Sequence, residues 1–159
     1  MKIRYPVYIL LVSLAFASCG KNNVSNIPQI SLMYFGTRTS TDSFIYKADT
    51  PFLQFSLADG DADLGNGQPG PPYDIYIKDF RFDTGYVGYF FPTIDKSIEN
   101  AKKGIQGMCT FLFTEYILTP RPDSIHVATG DTTHFELYMV DRAGHHSNHI
   151  TTRNIIMRP

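Results

Sequence analysis

Three carboxylates at alternate positions make the densest group of chemically able residues in the chain: Asp59, Asp61 and Asp63 of Asp59-Gly60-Asp61-Ala62-Asp63-Leu64-Gly65. Carboxylates spaced in this way on a loop can converge on one hard cation, and Ca²⁺ takes about six to eight oxygen ligands. The loop is not an EF-hand, which needs Gly at its sixth position and Glu at its twelfth. Here those positions are Leu64 and Gly70. The competing interpretation is an exposed loop of Asx turns, with Gly60, Gly65, Gly67 and Gly70 supplying left-handed backbone. Glycoside hydrolysis needs two carboxylates held across a cleft, which a single short loop does not provide.

A second polar group lies late in the chain, in Val140-Asp141-Arg142-Ala143-Gly144-His145-His146-Ser147-Asn148. Gly144 suits the tight position of a hairpin connection. His145, His146 and His149 are close enough in sequence to raise zinc as a ligand. Residues four apart share a face only on a helix, however, and this segment reads as turn then strand. No H-E-x-x-H is present, so a solvated polar turn stands beside the zinc interpretation. A serine-hydrolase elbow, G-x-S-x-G, is absent. The glycines of the acidic loop are followed by no Lys-Ser/Thr pair, and Asp would repel a phosphate. A third group, Phe80, Phe82, Tyr86, Tyr89, Phe90 and Phe91, surrounds Gly85 and Gly88. Exposed, it would be a binding hairpin through Tyr86, Tyr89, Phe90 and Phe91; buried, it is core. Strand alternation sends about half of such rings inward.

The elements that must position these groups are strands. Apolar runs are short, rich in β-branched and aromatic residues, and bounded by Gly, Pro, Asp or Asn. Strands are expected near Gln29–Gly36, Ser43–Lys47, Phe52–Ala58, Tyr73–Phe82, Tyr86–Phe91, Met108–Leu118, Ser124–Val127, His134–Val140 and His149–Met157. Leu53, Phe55 and Leu57 share one face of their strand, as do Phe135, Leu137 and Met139 of theirs, which marks half-buried antiparallel strands. Tyr73–Phe82 changes phase after Ile77, and a bulge at Lys78-Asp79 would account for it. Only Ile94–Lys103 reads as helical. The expected fold is all-β, an immunoglobulin-like antiparallel β-sandwich of about seven to nine strands. The Cys…Trp…Cys signature of antibody domains is missing.

The N-terminal segment carries Lys2 and Arg4, an apolar run from Val7 to Ala17, and small residues before Cys19. That is the pattern of a secretory signal peptide, and the run is shorter than the roughly 20 residues that span a bilayer. Leu14-Ala15-Phe16-Ala17-Ser18-Cys19 resembles a bacterial lipobox, whose cysteine receives the lipid. The expected organisation is a signal peptide over residues 1–18, a lipidated Cys19 with its tether over 19–27, and one domain over 28–159. By analogy with lipoprotein sorting, Gly20 after the cysteine favours the outer membrane. Lys21-Asn22-Asn23, lacking an acidic run, favours a periplasm-facing position over the surface.

The chain holds 14 basic and 15 acidic residues, and loss of Lys2 and Arg4 leaves 12 against 15, a net charge of −3. No basic patch is present to contact phosphates, which argues against a nucleic-acid partner. Lipidation would consume Cys19 and leave Cys109 without an intramolecular mate. Cys109 lies in Met108-Cys109-Thr110-Phe111-Leu112-Phe113 and reads as a small buried hydrophobe.

The early Phe55-Ser56-Leu57-Ala58-Asp59-Gly60-Asp61-Ala62-Asp63-Leu64-Gly65 and the late Tyr138-Met139-Val140-Asp141-Arg142-Ala143-Gly144-His145-His146-Ser147-Asn148 together carry a resemblance. The chain resembles a group of uncharacterised envelope lipoproteins of Bacteroidetes-type bacteria. Their Ig-like domain bears a D-G-D-x-D-L-G segment and a late D-R-A-G-x-x-S-N segment. The resemblance implies a cell-envelope protein and brings no catalytic residues with it. In an Ig-like sandwich the loops after the second and the second-last strands emerge at one pole, which would place Asp141 beside Asp59, Asp61 and Asp63. An Arg142–carboxylate pair could lock the same loops without a metal. The expected function is a non-catalytic, lipid-anchored contact module for envelope protein or glycan, with Ca²⁺ at Asp59, Asp61, Asp63 and Asp141. Its rivals are a carbohydrate-binding protein and a metal-dependent enzyme at the His/Asp pole.

Overall fold

A computed structural model of the chain describes residues 24–37, 43–46, 48–95, 97, 104–113 and 129–158. Ten strands run through them: β1 (Gln29–Gly36), β2 (Phe44–Tyr46), β3 (Phe52–Asp59), β4 (Ile75–Asp79), β5 (Val87–Tyr89), β6 (Ile105–Leu112), β7 (Asp131–Thr133), β8 (Phe135–Met139), β9 (Ile150–Thr151) and β10 (Ile155–Arg158). They form three sheets, ordered β1-β3-β6, β2-β10-β7 and β5-β4-β8-β9. All pairings are antiparallel except that β10 runs parallel to β2. The fold is all-β, with a sandwich-like arrangement.

Period-two patterning is what builds the layers. Leu53, Phe55 and Leu57 of β3 are buried while their neighbours are half-buried, and Phe135, Leu137 and Met139 of β8 repeat the pattern. The inner faces meet through rings. Phe35 and Phe113 of the first layer pack on Phe135 of the facing layer at 5.8 and 4.8 Å between centroids. Tyr89 of β5 meets Phe111 of β6 edge-on at 4.9 Å. Full burial of a side chain such as Phe55 or Leu137 contributes about 1.5–3 kcal/mol.

The expected strand His134–Val140 is β8, and the structure adds β7 just before it, across His134 and in a different sheet. Two strand assignments are corrected. The expected His149–Met157 divides into β9 and β10, which lie in different sheets. Thr152 marks that corner, its Oγ1 accepting the Phe135 N–H at 2.9 Å. A strand that crosses from one sheet to another makes a corner of this kind, and its composition stays strand-like throughout. The phase change after Ile77 is not a bulge. The strand ends at Asp79, whose carboxylate accepts the Arg81 N–H at 3.0 Å and grips its guanidinium. Phe80 and Phe82 therefore fall outside the ladder and are exposed. A register irregularity occurs instead in β1, between Leu32 and Tyr34. The segment 1–23, with Cys19, and the expected strand Ser124–Val127 lie outside the described residues, as does most of Ile94–Lys103.

Candidate functional site

The acidic tip grows directly from the two alternating strands. Asp59 follows Leu53, Phe55 and Leu57 on the inward parity of β3, and Asp141 follows Phe135, Leu137 and Met139 on the parity of β8. Each inward row of apolar side chains thus ends in a carboxylate, and both are buried, Asp59 completely. Asp63, also buried, comes from the loop after β3. One carboxylate oxygen from each of Asp59, Asp63 and Asp141 lies within 4.8 Å of the other two. Asp61 stands beside this trio, and its charge acts on both Asp59 and Asp63.

Backbone donors hold the two loops together. The Asp63 N–H donates to Asp59 Oδ2 at 3.1 Å, and the Ala143 N–H donates to Asp63 Oδ2 at 3.0 Å. Arg142 donates its N–H to the Asp63 carbonyl at 3.0 Å and its Nη1 to the carbonyls of Leu64 and Gly65 at 2.8 and 3.0 Å. Arg142 therefore locks the loops through main-chain carbonyls. Gly65 is required here, because its φ is 77° and a Cβ would sit 2.2 Å from the Pro92 carbonyl oxygen. The Asp141 carboxylate receives the His145 N–H at 2.7 Å and contacts its Nδ1 at 2.9 Å.

Three oxygens at the tip are buried and have no hydrogen-bond partner: Oδ1 of Asp59, of Asp61 and of Asp63. Burial of Asp59, reinforced by the charges of Asp61, Asp63 and Asp141, pushes its carboxyl up to about 7. Asp63 is also raised, first by burial and then by Asp141 and Asp61, against the Ala143 N–H and Arg142. His145 is raised by its bond to Asp141 and by that residue's charge. Oxygen donors of this number and hardness are a ligand set for a divalent cation.

A second constellation lies on the outer face of the β5-β4-β8-β9 sheet. Tyr76 and Tyr138 are cross-strand partners whose rings stack at 5.0 Å and 6°. His149 stacks on Tyr138 at 4.7 Å, and His146 stacks on it at 5.3 Å. Tyr86 crosses these rings edge-on, 79° to Tyr138 and 88° to His149. Its hydroxyl donates to Glu136 Oε1, the same oxygen that His149 Nδ1 approaches at 3.1 Å. The Tyr86 bond, followed by His149 and Lys78, holds the Glu136 carboxyl below its ordinary range despite partial burial. Tyr86 is pushed up to about 12 by burial and by Glu136.

Of the residues that sequence patterning singled out, Asp59, Asp63 and Asp141 converge, with Asp61 alongside. The aromatic segment does not form one surface. Tyr89 and Phe91 pack against the core, Phe90 is exposed, and Tyr86 belongs to the outer face. The histidines diverge: His145 binds Asp141, whereas His149 turns to Glu136. Cys109 is half-buried against the core, and burial raises its thiol. Sequence patterning missed Tyr76, Glu136 and Tyr138 as a group. The signal was present in Tyr76 and Tyr138, aromatic residues on the face opposite Ile75, Ile77, Leu137 and Met139.

No protein-family model, curated protein or solved structure matches this chain.

Proposed function

We propose that the protein is a non-catalytic contact module of the bacterial cell envelope, tethered by lipid at Cys19, whose Ig-like domain binds a protein partner through the outer face bearing Tyr76, Tyr86, Glu136, Tyr138 and His149. The N-terminal signal and the paired D-G-D-x-D-L-G and D-R-A-G-x-x-S-N segments support the envelope assignment. The observation that carries the contact role is the stacked, hydrogen-bonded ring array on the solvent side of a sheet. Tyr-rich surfaces of this kind serve as protein-interface anchors because large rings with few rotamers lose little entropy on binding. The choice of protein over glycan follows from ring orientation. Tyr76, Tyr138 and His149 spend their faces on one another, leaving edges and polar tips outward rather than a flat platform for a pyranose.

The test has two arms. Metabolic labelling with a radioactive fatty acid should mark the wild-type protein and not Cys19→Ala, and unlabelled wild type would remove the tether. In vivo crosslinking from a photoreactive residue at position 138 or 149 should trap one defined envelope protein, and Tyr86→Ala should weaken that capture roughly tenfold or more, as loss of an interface anchor does. Absence of a specific adduct, together with binding on a glycan array, would replace the protein partner by a carbohydrate.

A further inference from the structure

The tip gathers four carboxylates around one guanidinium, that of Arg142, whose charge acts on Asp63. Asp59 is fully buried and Asp141 and Asp63 nearly so, and a buried carboxylate is tolerated when it is paired, protonated or bound to metal. Asp141 has its pairing in His145, and one oxygen each of Asp59 and Asp63 receives a backbone N–H. What is left is Oδ1 of Asp59, Asp61 and Asp63, three buried acceptors without a donor. A proton on Asp59 would turn one of these acceptors into a donor. It cannot serve three oxygens or offset the charge of four carboxylates.

We propose that Asp59, Asp61, Asp63 and Asp141 bind a Ca²⁺ ion that pins the loop after β3 to the loop after β8. Two oxygens on opposite sides of a Ca²⁺ ion stand about 4.6–5.2 Å apart, given Ca–O distances of about 2.3–2.6 Å. The trio of Asp59, Asp63 and Asp141 oxygens, all within 4.8 Å of one another, fits inside that sphere. Carboxylates from four side chains leave the rest of the shell to water. Mg²⁺ suits the site less, because it demands a near-ideal octahedron and gives up its own water reluctantly. The site joins the ends of β3 and β8, which belong to facing sheets, so the ion acts as a clasp between layers. This site is separate from the outer-face surface, and either assignment can fail without the other.

The full chain in detergent, stripped of metal with a chelator, is titrated with CaCl₂ or MgCl₂ and followed by calorimetry and thermal unfolding. A saturating excess of Ca²⁺ should raise the wild-type Tm by about 5–10 °C, as ligand-linked stabilisation predicts for a domain of this size. Asp61→Asn, which removes one ligand charge and disturbs no hydrogen bond seen at the tip, should lose most of that rise. Asp63→Asn, which retains an acceptor for the Ala143 N–H, should lose it as well. Terbium luminescence on the folded wild type, displaced by Ca²⁺, gives a second readout that does not depend on stability. The proposal is overturned by absence of heat and Tm shift at millimolar Ca²⁺, by an undiminished shift in both variants, or by an equal shift with Mg²⁺.

Discussion

Two regions of this molecule present carboxylates to a partly desolvated setting and treat them in opposite ways. At the tip, burial and mutual repulsion raise Asp59 and Asp63, and three oxygens are without donors. On the outer face, Glu136 is lowered, because Tyr86 and His149 both direct donors at it and Lys78 lies opposite in register. The difference lies in what surrounds each group. Glu136 has been supplied with partners from three neighbouring segments, whereas the tip gathers acids against acids and supplies mainly backbone N–H groups. The fold thus satisfies one carboxylate with side-chain donors and leaves four others crowded against one another.

The comparison can be broken most forcefully from beneath. Phe135 is almost fully buried between the layers, against Phe35 and Phe113, so Phe135→Ala should cost about 3–5 kcal/mol in urea unfolding and weaken the fold that carries both regions. Variants that leave the core alone should then act with opposite signs. In chelator, Asp61→Asn relieves repulsion and should raise stability by on the order of 1 kcal/mol. Glu136→Gln loses charge-assisted hydrogen bonds and should lower it by about 1 kcal/mol. Two changes of the same sign would erase the contrast.

The pH response sharpens it further. Asp59 titrates at about 7 in the fold against an ordinary 3.8, so between those values the native state holds a proton that the unfolded chain releases. Its contribution is therefore complete below about 4 and is lost as pH rises toward 7. The chelated protein should gain Tm on acidification from pH 8 to 5, a gain smaller in Asp59→Asn. Glu136 runs the other way. Its lowered pKa contributes stability above the ordinary carboxylate range that is lost as pH falls through it, and Glu136→Gln should flatten that acid limb. The smallest effect is spectroscopic: absorbance at alkaline pH should reveal a tyrosine that ionises near 12, absent in Tyr86→Phe.

Much of this was readable in the residue pattern, for a local reason. Leu53, Phe55 and Leu57 fix the inward face of β3, and counting two further reaches Asp59. The same count from Phe135, Leu137 and Met139 reaches Asp141, so both buried acids were implied by strand period alone. The outer-face group was hidden because it depends on register between strands distant in sequence. Tyr76 meets Tyr138 only through the β4–β8 pairing, and His149 joins them only across β8–β9. The corner at Thr152 was hidden for another reason: a strand that changes sheets keeps an extended backbone and strand-like composition, so nothing local announces the change.

Sheet β2-β10-β7 carries a consequence for how the molecule is made. Its central member is β10, with Ile156 beside both Phe44 and Thr132, so two segments far apart in synthesis wait for a third that emerges later than either. During vectorial production this layer stays open until residues 155–158 arrive. Closure is then a single late event rather than a gradual accretion, and such long-range joining slows folding.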